Sequence, residues 1–252
     1  MFKLPTLEPK PSTIPVLKDA LREYYGKERT NIHVSDINSC MRQKIFRKEQ
    51  PMELTDKELN NFSSGRGIDG CIQDLTYMRP KQFRAKTELW LSRETGEIIH
   101  WFNAKADDVV ATPDIYDIIL DMPIELKSNK TETMWMDKFN TMSEPPPASN
   151  VKQLLYYMAM TDKNYGRLLI QYMNQKKKSP WREIDYYRTK EELAAIRQEI
   201  AHRARLYKIA RDAKDPSLAL HVANDPDEKY LCKMCPYKTP CDEMRRKAGE
   251  IF

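Results

Sequence analysis

NAKADDVVATPDIYDIILDMPIELKS, residues 103 to 128, reads as strand material with carboxylates set inside its apolar runs. In a strand, residues two apart face the same side, so Glu125 and Lys127 of IELK project together while Ile124 and Leu126 turn to the core. A carboxylate beside an ammonium is also an ordinary surface pair on a charged strand, and taken alone it means no more than that. The acidic pair Asp107 and Asp108, on the preceding strand of an otherwise apolar stretch, changes its weight. Pro113 and Asp114 read as turn residues between the two strands, and a hairpin there would bring Asp107 or Asp108 beside Glu125. Strand register decides which of the two faces inward. Two clustered carboxylates suit a hard divalent cation, Mg²⁺ or Mn²⁺. A lysine beside them can orient water or offset charge developing on a phosphate.

The flanking chain supports a mixed α/β domain. TELWLS (87 to 92), IIHWFNAKADDVVAT (98 to 112) and YDIILDMPIELKS (116 to 128) alternate as an antiparallel meander would. Two more strands are expected at GRLLIQYMN (166 to 174) and WREIDYYR (181 to 188), joined by the basic turn QKKKSP. Helical periodicity marks residues 13 to 27, residues 33 to 49, about 56 to 77, a stretch near Met134, residues 149 to 162, and Lys190 to about Lys214. Ser35 is the expected N-cap of the second, with Asp36 in its first turn. With no internal repeat and no low-complexity linker, residues 1 to 252 are read as one domain. It comprises a helical part to about residue 80, a core over 84 to 188, and a helix with a cysteine-rich segment over 189 to 252.

Composition narrows the function classes. Lys plus Arg number 42 against 37 Asp plus Glu, a net charge of +5 that favours a polyanionic partner only mildly. The chain holds 7 glycines, with neither a Walker A loop nor G-x-G-x-x-G, which weakens an ATPase or dinucleotide reading. No apolar run is long enough to span a membrane, and the proline-broken start lacks a signal-peptide core, so a cytoplasmic location is expected. Five cysteines, an odd count, point to metal or core roles in a reducing compartment.

At IELK the chain resembles the PD-(D/E)XK nucleases and, within them, the RecB-like branch. Asp107 in NAKADDVV matches the family's metal-binding aspartate, with Ala104 in a glycine position, and Glu125 and Lys127 match its E-x-K. Gln153 and Tyr157 of QLLYY match a further signature of the branch, one helical turn apart on one face. Where the branch carries a G-x-x-x-H histidine ligand, this chain has Gly65 and Asp69. The resemblance implies a restriction-endonuclease-like core, a central mixed sheet flanked by helices. It also implies Mg²⁺ or Mn²⁺ held by Asp69, Asp107 and Glu125, with Lys127 handling the water and Gln153 and Tyr157 orienting the strand. Arg42, Lys105, Lys130 and the Lys176 to Lys178 turn are candidates for phosphate contacts.

YLCKMCPYKTPC, residues 230 to 241, supplies three thiols, one short of a closed metal site. VSDINSCMR resembles the N-terminal phrase of the CRISPR-associated RecB-like exonucleases, which implies Cys40 as the missing ligand. Cys40, Cys232, Cys235 and Cys241 would then bind a [4Fe–4S] cluster joining the two ends of the chain. By spacing alone, zinc in a Cys₄ site stays open. Cys71 is left as a buried small hydrophobe. The function implied is a DNA exonuclease working on single-stranded ends, 5′ to 3′, in CRISPR spacer acquisition or repair, beside integrase or repair proteins and without a membrane. The aspartate at position 69 keeps a second reading in play, a catalytically weak iron–sulfur DNA-binding subunit of such a complex.

Overall fold

Residues 33 to 49, expected as one helix, fold as two. In the computed structural model, which describes residues 31–52, 76–84, 87–129, 146, 148–172, 181–221 and 229–250, β1 (Ile32–His33) leads into α1 (Val34–Ile37). The chain breaks at Asn38, and α2 (Met41–Glu49) starts with Cys40 as its N-cap residue. Asparagine and serine at 38 and 39 compete locally for backbone bonds and so weaken a helix interior. The N-cap of α1 is His33, not Ser35. The Asp36 carboxylate accepts from the His33 N–H at 3.1 Å, and the His33 ring accepts from the Ser35 N–H.

Two mixed sheets follow. The first has the order β1-β5-β3-β4, with β3 (Leu89–Leu91), β4 (Ile98–Ile99) and β5 (Val109–Ala111). β1 is parallel to β5, and the other pairs are antiparallel. The second has the order β2-β6-β7-β8-β9, with β2 (Phe83–Arg84), β6 (Ile115–Asp117), β7 (Met122–Asn129), β8 (Tyr165–Tyr172) and β9 (Trp181–Tyr187). Only β7 and β8 are parallel there.

The meander expected across residues 87 to 128 is therefore divided. The stretch 98 to 112 is two short strands separated by a 3₁₀ turn at Trp101–Asn103. At Thr112 to Asp114 the chain leaves the first sheet for the second. Pro113 has no N–H to give a ladder, which suits a point where pairing must stop.

The helix α3 (Ala148–Thr161) packs against β3, β7, β8 and α4 (Lys190–Asp212), and Leu154, Tyr157, Met158 and Met160 are almost wholly buried. The fit against β8 is close: a Cβ at Gly166 would lie 2.6 Å from Met158 Cγ and 3.1 Å from Leu154 Cδ1. α4 begins with a capping box, Thr189 with Glu192, and buries Leu193, Ile200, Ala204 and Tyr207. α5 (Lys238–Lys247) closes the described chain beside α2, where Phe46, Tyr237 and Cys241 form a small apolar cluster.

Candidate active site and cysteine pocket

β7 is covered on both faces. Ile124 and Leu126 pack with Ile115, Phe83 and Leu169, and Glu125 on the opposite face has no exposed surface. Alternation carries Lys127 to that same side, where its ammonium pairs with Glu125 Oε1. Lys127 Nζ also donates to Gln153 Oε1 at 3.2 Å, and Gln153 Nε2 donates to the Tyr157 hydroxyl at 2.7 Å. The structure thus gathers Glu125, Lys127, Gln153 and Tyr157 where β7 meets α3.

The second carboxylate beside Glu125 is Asp114, not Asp107. Asp114 sits at the foot of β6, and its Oδ2 accepts from the N–H of Leu126 at 2.9 Å. Burial pushes the Glu125 carboxyl up to about 8, and the negative charge of Asp114 adds to burial while Lys127 opposes it. The Tyr157 hydroxyl is pushed well above its ordinary value by burial and then by Glu125 and Asp114. Lys127 is the ion-pair partner of Glu125, and among the described residues no further hydrogen bond of regular geometry reaches either carboxylate oxygen. A buried carboxylate left so, with a second one alongside, fits an oxygen-liganded dication.

Asp107 and Asp108 are occupied elsewhere. Asp107 takes a left-handed backbone (φ 70°) just before β5 and pairs with Arg211, with Lys208 at 3.1 Å and with Arg93 at 3.9 Å. Burial alone would raise its carboxyl, but Arg211 and Lys208 hold it below the usual range. Asp108 is buried and accepts from the N–H groups of Arg93 at 3.0 Å and Lys105 at 2.8 Å, which closes the loop into β5. The hairpin expected to carry one of them to Glu125 does not form, because β5 and β7 belong to different sheets.

Two further expectations are revised, those for Arg42 and Tyr157. Arg42 is buried and cannot meet a phosphate: it forms a forked pair with Glu250 at 3.0 and 3.1 Å and donates to the Ala219 carbonyl at 2.9 Å. Tyr157 is 1% exposed, so it supports Gln153 from below and offers no face to a strand. Lys105 is exposed and lies 3.7 Å from Glu94, on the side of the first sheet. Asp69, Cys71, Lys130 and the Lys176 to Lys178 turn lie outside the described residues.

Four of the cysteines meet beside the start of α2. Cys40 caps α2, Cys232 lies in the 3₁₀ turn Lys229–Met234, Cys235 follows it, and Cys241 is in α5. All four line one cavity with His221, Phe46 and Tyr237. Burial raises the Cys232, Cys235 and Cys241 thiols, and their closeness to Cys40 adds to it. Among the described residues no three His, Cys, Asp or Glu side chains close up tightly enough to hold a metal ion. The thiols ring a cavity, and the carboxylates at β7 are a pair. Phe46 and Tyr237 stack at 5.7 Å beside the thiols, and the Tyr237 hydroxyl donates to the Gln50 carbonyl at 3.1 Å.

No family model matches this chain, and no curated protein does. Among solved structures, that of SSO0001 superposes with a TM-score of 0.55 at 15% identity, over 90% of this chain and 94% of that one. A phage-related exonuclease from Haemophilus somnus 129PT gives a TM-score of 0.40 at 11% identity, over 70% of this chain and 83% of that one. At such identity the likeness to SSO0001 is one of fold. The chain is a mixed α/β protein with two mixed sheets flanked by helices, compatible with a restriction-endonuclease-like core.

Asp114 is the residue that sequence reasoning passed over. Its signal was present as the Pro113-Asp114 dipeptide upstream of IELK, read as turn chemistry because proline and aspartate both favour turns.

Proposed function

We propose that the chain is a divalent-metal-dependent nuclease that hydrolyses DNA phosphodiesters from single-stranded ends. One observation carries this reading: Glu125, wholly buried, has the half-buried Asp114 carboxylate alongside and Lys127 as its ion-pair partner, with no further regular hydrogen bond to either Glu125 oxygen among the described residues. Two adjacent carboxylates repel, burial worsens the cost, and a dication offsets both. Asp114 and Glu125 would hold Mg²⁺ or Mn²⁺, and Asp69 is kept as a third ligand on the family resemblance. Bound there, the ion supplies Lewis-acid polarisation of the phosphate and a more acidic water.

The protein's own groups do the rest. Lys127, fixed between Glu125 and Gln153, points its ammonium where it orients the attacking water and offsets charge on the phosphate oxygens. Gln153 holds that ammonium through Oε1, and Tyr157 holds Gln153 through its hydroxyl. The four thiols that line one cavity are proposed to bind a [4Fe–4S] cluster, a choice over a single zinc ion that rests on the family resemblance. The family resemblance supports 5′ to 3′ polarity and DNA trimming beside integrase or repair proteins, CRISPR spacer acquisition included.

The test is digestion of end-labelled single-stranded DNA with Mn²⁺ or Mg²⁺. Glu125→Ala and Lys127→Ala are expected to lose at least about a hundredfold in rate, the scale of a removed charge-stabilising group. A wild type as inert as both variants at high metal overturns the enzyme reading.

A further inference from the structure

The cysteine pocket and the candidate active site are joined by one short segment. Residues 38 to 40 link α1 to α2. Cys40, at one end, lines the thiol cavity. Asn38, at the other, is buried, and its Nδ2 lies 3.4 Å from Gln153 Oε1 and 3.4 Å from the Ser149 carbonyl in the first turn of α3. The segment is clamped from behind by Arg203 of α4, which donates to the Ile37 carbonyl at 2.6 Å and to the Ser39 carbonyl at 3.1 Å.

An amide side chain has two ends that differ only in donor and acceptor character, and its neighbours select the orientation. Gln153 Oε1 faces two donors, Asn38 Nδ2 and Lys127 Nζ, and Nε2 faces the Tyr157 hydroxyl. Were the Asn38 donor absent, Lys127 alone would choose the orientation, and Lys127 is shared with Glu125.

We propose that Asn38 is a positioning residue for Gln153 and, through Gln153, for the catalytic Lys127. This rests on the nuclease reading above.

The experiment is a double-mutant cycle on the full-length, cluster-loaded protein, with Mn²⁺ and end-labelled single-stranded DNA. Asn38→Asp keeps size and removes the donor, and Asn38→Ala is the second variant should a buried carboxylate impair folding. Melting temperature and visible absorbance establish that each variant is folded and loaded. In the wild-type background either variant is expected to lower kcat about tenfold with KM unchanged. In a Gln153→Ala background the same change is expected to do nothing further, because interacting residues are non-additive. Calorimetric Mn²⁺ affinity is expected to stay within about twofold, as Asn38 touches neither carboxylate.

Equal losses in both backgrounds, or an unchanged kcat in folded Asn38→Asp or Asn38→Ala, overturn the proposal while leaving the nuclease reading intact. A wild type no more active than Glu125→Ala overturns the nuclease reading and this proposal with it.

Discussion

Glu125 is the most constrained side chain of the site, and its titration follows from where it sits. Its carboxyl, with an ordinary value of 4.5, is pushed up to about 8 by burial and by Asp114. A raised carboxyl means that the folded state keeps its proton longer than the unfolded state does. Without metal, stability should therefore fall as pH rises from about 4.5 to about 8 and level off above that. Thermal melts in chelator across this range check it. Glu125→Gln should flatten the slope and raise the melting temperature at pH 8 relative to the wild type. Added Mn²⁺ should stabilise the wild type at pH 8 and leave Glu125→Gln nearly unmoved. Asp107 shows the opposite environment, a carboxylate already satisfied by Arg211 and Lys208.

At the scale of elements, packing of α3 on β8 sets the depth at which Gln153 and Tyr157 meet Lys127. Gly166 permits that approach, because a Cβ there would collide with Met158 and press on Leu154. Gly166→Ala should cost about 1–3 kcal/mol, the usual range for overpacking. It should also lower nuclease activity by moving α3 away from β7. Denaturant unfolding and the DNA digestion assay would record both effects. The same elements show what was legible in the sequence. The two-residue alternation of IELK and the helical turn between Gln153 and Tyr157 are strictly local patterns, and the structure repeats them. The stretch 98 to 112 misled because β-rich composition cannot report that Trp101–Asn103 turns, or that neighbouring strands join different sheets. Sheet membership is a long-range property, set here by β1 lying parallel to β5. The break at Asn38 was hidden likewise, since Arg203 of a distant helix takes the carbonyls on either side of it.

In the whole molecule, α2 is tied to residues 237–250 beside the thiol cavity, by Arg42 to Glu250 and by Phe46 stacked on Tyr237. Cys40→Ser or Cys241→Ser should bleach the visible absorbance expected of thiolate-ligated iron and lower the melting temperature. A variant that kept both would remove the clasp, and a colourless wild type with stoichiometric zinc would replace the cluster by zinc. The fold also parts the four candidate carboxylates between two sheets: Asp107 and Asp108 before β5 of the first, Asp114 at the foot of β6 and Glu125 on β7 of the second. The central claim is that the metal belongs to the second. Calorimetric titration of Mn²⁺ into the wild type, Asp114→Asn and Asp107→Asn tests it most directly, because asparagine tolerates the left-handed backbone at position 107. The expected result is binding by the wild type and by Asp107→Asn, and loss of at least about tenfold in affinity for Asp114→Asn. Binding kept by Asp114→Asn and lost by Asp107→Asn would contradict the account.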